Sequence, residues 1–269
     1  MSNKLYKKYY SSWVSIRRHA FSSLPYLNFS KFFNILLSKY EELAGKEILK
    51  AKPYFIKIEP TSKCNLSCPG CLHAKGRTEL VDNNYIGDMD LEIFNKIIDS
   101  LKKYLVSVSL YFEGEPLVAK NIKDMLIILN KKRIGSVISS NLNYLPDDLI
   151  KSFVENKLSR LIISIDGYNE ETYQKYRKGG SLENVINNIK KIQKEKRDKN
   201  SKYPILEAQT INFSYFKDSD INKIKKIVKD LGINNFTLKD DLSEHYSKPK
   251  PKQKKCFWLY GNPSFHWNG

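Results

Sequence analysis

From residue 55 onward, short runs in which apolar and polar side chains alternate are separated by longer stretches with apolar residues at helical spacing. The short runs predict strands at residues 55–59, 106–112, 136–140, 161–165, 206–211 and 236–239. Two of the intervening helices are well marked. Leu91, Phe94, Ile97, Ile98 and Leu101 make one apolar face, and Leu182, Val185, Ile186, Ile189 and Ile192 another. Successive β/α units of this kind predict an α/β fold with a parallel sheet.

Strands buried on both faces of a parallel sheet usually read as unbroken apolar runs. These alternate instead. On the fourth, Ile162, Ser164 and Asp166 share one face, while Leu161, Ile163 and Ile165 share the other. Lys57 and Glu59, then Ser107, Ser109 and Tyr111, then Glu207 and Gln209, extend the polar pattern to the first, second and fifth. The expectation is a partial (β/α)6 TIM-like barrel whose apolar faces meet the helices and whose polar faces line an open interior. A closed, self-filled barrel would place branched aliphatics there.

The flanks divide the chain. Residues 1–50 form a helical extension rich in basic and aromatic side chains, with Leu5, Tyr9, Trp13 and Ile16 at helical spacing beside Lys4, Lys7, Lys8, Arg17 and Arg18. Packing on the main domain and peripheral contact with a membrane both suit it. Residues 51–240 carry the core, and residues 241–269 read as a lysine- and proline-containing linker followed by an aromatic tail.

With 46 basic against 29 acidic residues the formal charge is +17, but the lysines are spread along the chain. No compact basic and aromatic platform of the sort that binds single strands is present, so nucleic acid is not the expected partner. No apolar run of about 18 residues and no signal-peptide pattern occurs, which makes the cytoplasm the expected compartment.

Of four cysteines, three fall in the C-x3-C-x2-C run Cys64, Cys68 and Cys71, directly after the first strand. Thiolates bind soft metals, and three on one loop can wrap a compact iron–sulfur cubane. Four irons held by three cysteines leave one iron open, the mark of a metal centre that binds a reactant. Zinc with His73 as a fourth ligand, and three unliganded thiols, are the competing readings.

The loop resembles the cluster motif of the radical S-adenosylmethionine (SAM) superfamily, and the resemblance runs over residues 55–239. Phe112-Glu113-Gly114-Glu115-Pro116 resembles the family's Gly-Glu-Pro element, whose backbone receives the SAM amino group. Ile163-Ser164-Ile165-Asp166-Gly167 resembles the fourth-strand segment that contacts the SAM ribose or carboxylate. Tyr176-Arg177-Lys178-Gly179-Gly180 resembles the stretch whose arginine pairs with the SAM carboxylate, a geometry that a guanidinium suits. The resemblance therefore implies a 4Fe–4S cluster on Cys64, Cys68 and Cys71, with SAM bound by Gly114, Glu115, Ser164, Asp166 and Arg177. One departure stands out: many members carry an aromatic residue just before the third cysteine, where it packs on adenine, and this chain has Gly70. Leu72 and the Ser139-Ser140-Asn141 segment are the candidates to replace it.

The resemblance implies reductive cleavage of SAM to a 5′-deoxyadenosyl radical and hydrogen abstraction from a peptide, protein or small-metabolite substrate. An electron donor such as a flavodoxin or ferredoxin is implied with it. A radical SAM enzyme acting on RNA, and a non-catalytic iron–sulfur or zinc module, are the alternatives. The segment from Cys256 to Gly269 resembles the opening of a SPASM-type auxiliary-cluster extension, apparently truncated because further cysteines are wanting.

Overall fold

A computed structural model describes residues 24–71, 73–74, 86–241 and 262–269. Leu72, Cys256 and the Leu5-to-Ile16 helix expected from the sequence lie outside the described residues. The elements in chain order are α1 (Phe29–Ala44), β1 (Phe55–Ile58), α2 (Leu91–Leu101), β2 (Ser107–Leu110), α3 (Ile122–Lys131), β3 (Gly135–Ser140) and α4 (Asp147–Glu155). Then follow β4 (Arg160–Ser164), α5 (Glu170–Tyr176), α6 (Leu182–Asp198), β5 (Ile205–Asn212), α7 (Asp218–Asp230), β6 (Asn235–Asp240) and β7 (Ser264–Phe265).

The strands form one sheet in the order β6-β5-β4-β3-β2-β1-β7, every neighbouring pair parallel. All six strands expected from the sequence are present, and a short seventh joins the far side of β1, where Lys57 N donates to Pro263 O at 2.9 Å.

Alternation decides what each face does. Leu161, Ile163 and Ile165 enter the apolar core with Ile98 of α2, Phe153 of α4 and Ile189 of α6, all fully buried. The opposite face is polar, as expected, but only part of it is open. At the level of Arg160 and Glu207, Arg160 Nη1 donates to Glu207 Oε2 at 2.8 Å and Thr237 Oγ1 donates to Glu207 Oε1 at 2.8 Å. These side chains satisfy one another, as buried charges must. The interior opens only nearer the carboxyl ends of the strands.

Helix α1 closes the other end. Asn28 caps it by accepting from Lys31 N, and Gly45 ends it in the left-handed conformation that glycine adopts freely. It docks near the amino ends of β1 and β3, where Asn34 pairs with the Lys52 backbone and Lys31 Nζ donates to Arg133 O at 3.0 Å.

Candidate functional site

The cysteine loop is clamped at both ends before it reaches its first thiol. Thr61 bridges Asp88 in antiparallel fashion, and Ser62 N and Thr61 Oγ1 both donate to Gly87 O. Lys63 Nζ lies 2.6 Å from Asp88 Oδ2, and Met89 N donates to Pro60 O. Residues 60–63 and 87–89 thus form a closed neck.

A second brace comes from the loop after β2. Gly114 lies against the neck so tightly that a Cβ there would sit 2.1 Å from Thr61 O, and Glu115 N donates to Lys63 O at 2.8 Å. The close approach that glycine permits at this position is made to the chain's own cysteine loop. A third brace is Ser67 N, which donates to Lys178 O at 3.0 Å. The turn between Cys68 and Cys71 places Gly70 at φ +79, with open space where a side chain would begin. That left-handed backbone explains glycine here in place of an aromatic residue.

Cys64, Cys68 and Cys71 open on a cavity of about 160 Å³ that also meets Gly114, Glu115, Ser139, Ser140, Asn141, Ser164, Tyr176 and Arg177. Of the six groups expected from the sequence, five share this one space: the thiols, Gly114, Glu115, Ser164 and Arg177. Asp166 does not line the cavity. Strand β4 ends at Ser164, and Ile165 still enters the core with Leu161 and Ile163, so Asp166 stays on the Ser164 side, one step back from the cavity wall. Its carboxylate turns to Arg177 instead.

Arg177 Nε donates to Asp166 Oδ2 at 2.7 Å, with Nη2 on the same oxygen, while Ile211 N donates to Asp166 Oδ1 at 2.7 Å. The third guanidinium nitrogen, Nη1, lies 3.9 Å from Cys68 Sγ. Burial disfavours the Arg177 cation, but Asp166 and then Cys68 outweigh it and raise its pKa. Burial also pushes the Cys64 thiol up to about 11, and raises that of Cys68 against the opposing pull of Arg177. Low-lying thiolates would thus need a metal partner to form readily here.

Glu115 is used internally. It accepts from Ser140 Oγ at 2.7 Å, Asn141 N at 2.8 Å and Leu117 N at 3.2 Å, which ties the loops after β2 and β3 together. Burial raises its pKa in spite of these bonds.

Two features had no counterpart in the sequence expectation. Asn141 Nδ2 donates to Asn65 Oδ1 at 2.9 Å, linking β3 to the cysteine loop. His266 Nδ1 lies 3.1 Å from Glu59 Oε2, and Glu113 N donates to Glu59 Oε1 at 3.2 Å, so the β7 segment is fastened beside the cavity. The signal for the first was Asn65 between two cysteines; for the second there was none, because the partners are separated by the whole barrel in sequence.

The donor chemistry fits an iron–sulfur cluster: three soft thiols of one braced loop facing a shared cavity beside a buried cation. Among the described residues, the His, Cys, Asp and Glu group whose ligand atoms close to within 4.8 Å of one another is Glu59, Glu113 and His266.

The family model for the radical SAM superfamily matches residues 58–236. The chain is 32% identical over 136 residues to a probable GTP 3',8-cyclase of Methanocaldococcus jannaschii, covering 51% of this chain and 44% of that protein. It is 30% identical over 138 residues to the GTP 3',8-cyclase of Clostridium perfringens, covering 51% of this chain and 42% of that protein. The chain thus spans less than half the length of these curated relatives. Streptococcus suis SuiB bound to S-adenosylmethionine has a similar fold, with a TM-score of 0.61 at 17% identity over 82% of this chain and 49% of SuiB. From the match across the barrel, the chain belongs to the radical SAM superfamily, enzymes that use a 4Fe–4S cluster and SAM.

Proposed function

We propose that this chain is the core of a radical SAM enzyme in which Cys64, Cys68 and Cys71 hold the 4Fe–4S cluster and the adjoining cavity takes SAM. When bound, such a cluster supplies the electron that cleaves the SAM sulfonium to a 5′-deoxyadenosyl radical, which takes hydrogen from a peptide, protein or small-metabolite substrate. The observation that carries this reading is the opening of all three thiols on one cavity with Arg177.

The chain's own residues would bind and orient. Arg177 brings a fixed positive charge to the thiols and to a SAM carboxylate, and Asp166 aims it without entering the cavity. Ser164 and the backbone at Gly114 and Glu115 offer hydrogen bonds to the polar end of SAM. Asn141 and Ser140 set the cavity wall through Glu115. With cluster and SAM bound, this wall would serve mainly to hold the sulfonium beside the cluster. Residues 256–269 are read as the opening of a SPASM-type extension on the sequence resemblance alone. A flavodoxin- or ferredoxin-type donor is the proposed source of electrons.

The test is oxygen-free reconstitution with iron and sulfide, followed by reduction in the presence of SAM. The expected result is roughly four irons and four sulfides per chain and release of 5′-deoxyadenosine. Chain carrying one zinc and no sulfide would overturn the proposal.

A further inference from the structure

Helix α1 is amphipathic in the inverse sense. Its polar residues Lys31, Asn34, Ser38 and Glu41 are the buried ones. Asn34 exchanges hydrogen bonds with the backbone of Lys52, Glu41 accepts from Lys50 N and Ala51 N, and Lys31 reaches Arg133 O. These bonds fix the rotation of the helix and turn its apolar face outward. Phe29 is 82% exposed, Phe33 59%, Leu36 49%, Tyr40 62% and Leu43 81%. At about 100° per residue these positions fall in one stripe, diametrically opposite the buried polar ones. Single exposed apolar side chains are ordinary, but a contiguous ridge of them marks a contact surface.

We propose that this ridge docks on an anionic lipid bilayer, with α1 lying in the interface plane. Charge selects this occupant. The chain carries a formal +17, and the residues preceding Leu24 include Lys4, Lys7, Lys8, Arg17 and Arg18 with no Asp or Glu. An anionic surface attracts that charge, whereas a second copy meeting the same ridge would bring two strongly cationic chains together. Side-chain type agrees: Phe, Tyr and Leu on one outward face are what an interfacial helix presents, and the one outward lysine of α1, Lys39, pairs with Glu42, so the attracting charge comes from the rest of the chain. The contact is peripheral, since no helix among the described residues is long and apolar enough to cross a membrane. Geometry gives it a consequence. Because α1 sits near the amino ends of β1 and β3 and the cysteine loop leaves the carboxyl end of β1, docking would turn the cavity mouth away from the lipid.

The experiment is flotation of the full chain with phosphatidylcholine vesicles, with and without phosphatidylglycerol. The parent chain is expected to float with the anionic vesicles and much less with the neutral ones, and added salt to weaken binding. A Phe33→Asp/Leu36→Asp variant, altered only at exposed positions, is expected to keep its far-UV circular dichroism and bind at least about tenfold more weakly. Equal binding by parent and variant would overturn the proposal, as would no preference for anionic vesicles. Absence of flotation would overturn it too: a parent dimer split by the variant would then assign the ridge to a second copy, and a lowered melting temperature in the variant to another part of this chain.

Discussion

Asp166 holds Arg177 by two guanidinium nitrogens while its other oxygen is pinned by the backbone N–H of Ile211, so the third nitrogen is aimed at Cys68. The carboxylate is fully buried and the arginine nearly so. A buried charge in a fixed frame acts as part of the site only while its partner remains.

Removing that partner tests the relationship. Asp166→Asn keeps the shape and loses the charge, and is expected to lower SAM binding by about tenfold or more, with a loss of stability of about 1–3 kcal/mol. Iron content after reconstitution should stay near that of the parent. Isothermal titration with SAM and an iron assay separate the two effects.

Gly114→Ala probes the brace on the cysteine loop. Its new methyl would meet the Thr61 carbonyl, a backbone atom that cannot swing aside. Overpacking of this kind costs about 1–3 kcal/mol. Reconstituted iron should fall sharply while far-UV circular dichroism, which reports the barrel, is retained.

The Arg160–Glu207 pair should behave differently, because it lies in the closed part of the interior. Glu207→Ala leaves a buried arginine without its counter-ion and is expected to cost about 3–5 kcal/mol. Urea titration should show the lower midpoint, and variant that remains folded should still take up iron.

Lys31 supplies a pH dependence. Burial, and then Arg133, push its pKa down to about 8 in the folded chain, below its ordinary value of 10.5. The folded state therefore holds fewer protons on Lys31 than the unfolded state between those values, so this group's contribution to stability rises with pH across that window. Below about pH 8 the full cost of the buried cation is felt. Urea midpoints of the parent minus those of Lys31→Met should climb from pH 8 to pH 10.

Much of this was legible in the residues. The six long strands follow from alternation because one face of each meets helices and the other meets polar side chains, and their ends fell within two residues of expectation. The meeting of the thiols, Gly114, Glu115 and Ser164 was legible because each sits in a short motif at a strand end, and that of Arg177 because it sits in a motif at the end of α5. Asp166 shares the Ser164 side as alternation implies, but its pairing with Arg177 and Ile211 N had no signal in the residues, because those partners lie 11 and 45 positions away. Strand β7 is two residues long and has no periodicity to read. The outward face of α1 was hidden for another reason: periodicity shows that a helix has two faces, but only the backbone groups of Lys52, Lys50 and Ala51 decide which one is buried.

The most direct measurement is electron paramagnetic resonance of the reconstituted, reduced chain with and without SAM. One iron without a protein ligand predicts a reduced-cluster signal that changes when SAM is added, and loss of that signal in Cys64→Ala, Cys68→Ala and Cys71→Ala variants. A cluster signal indifferent to SAM, or one that survives removal of any of these thiols, would contradict it.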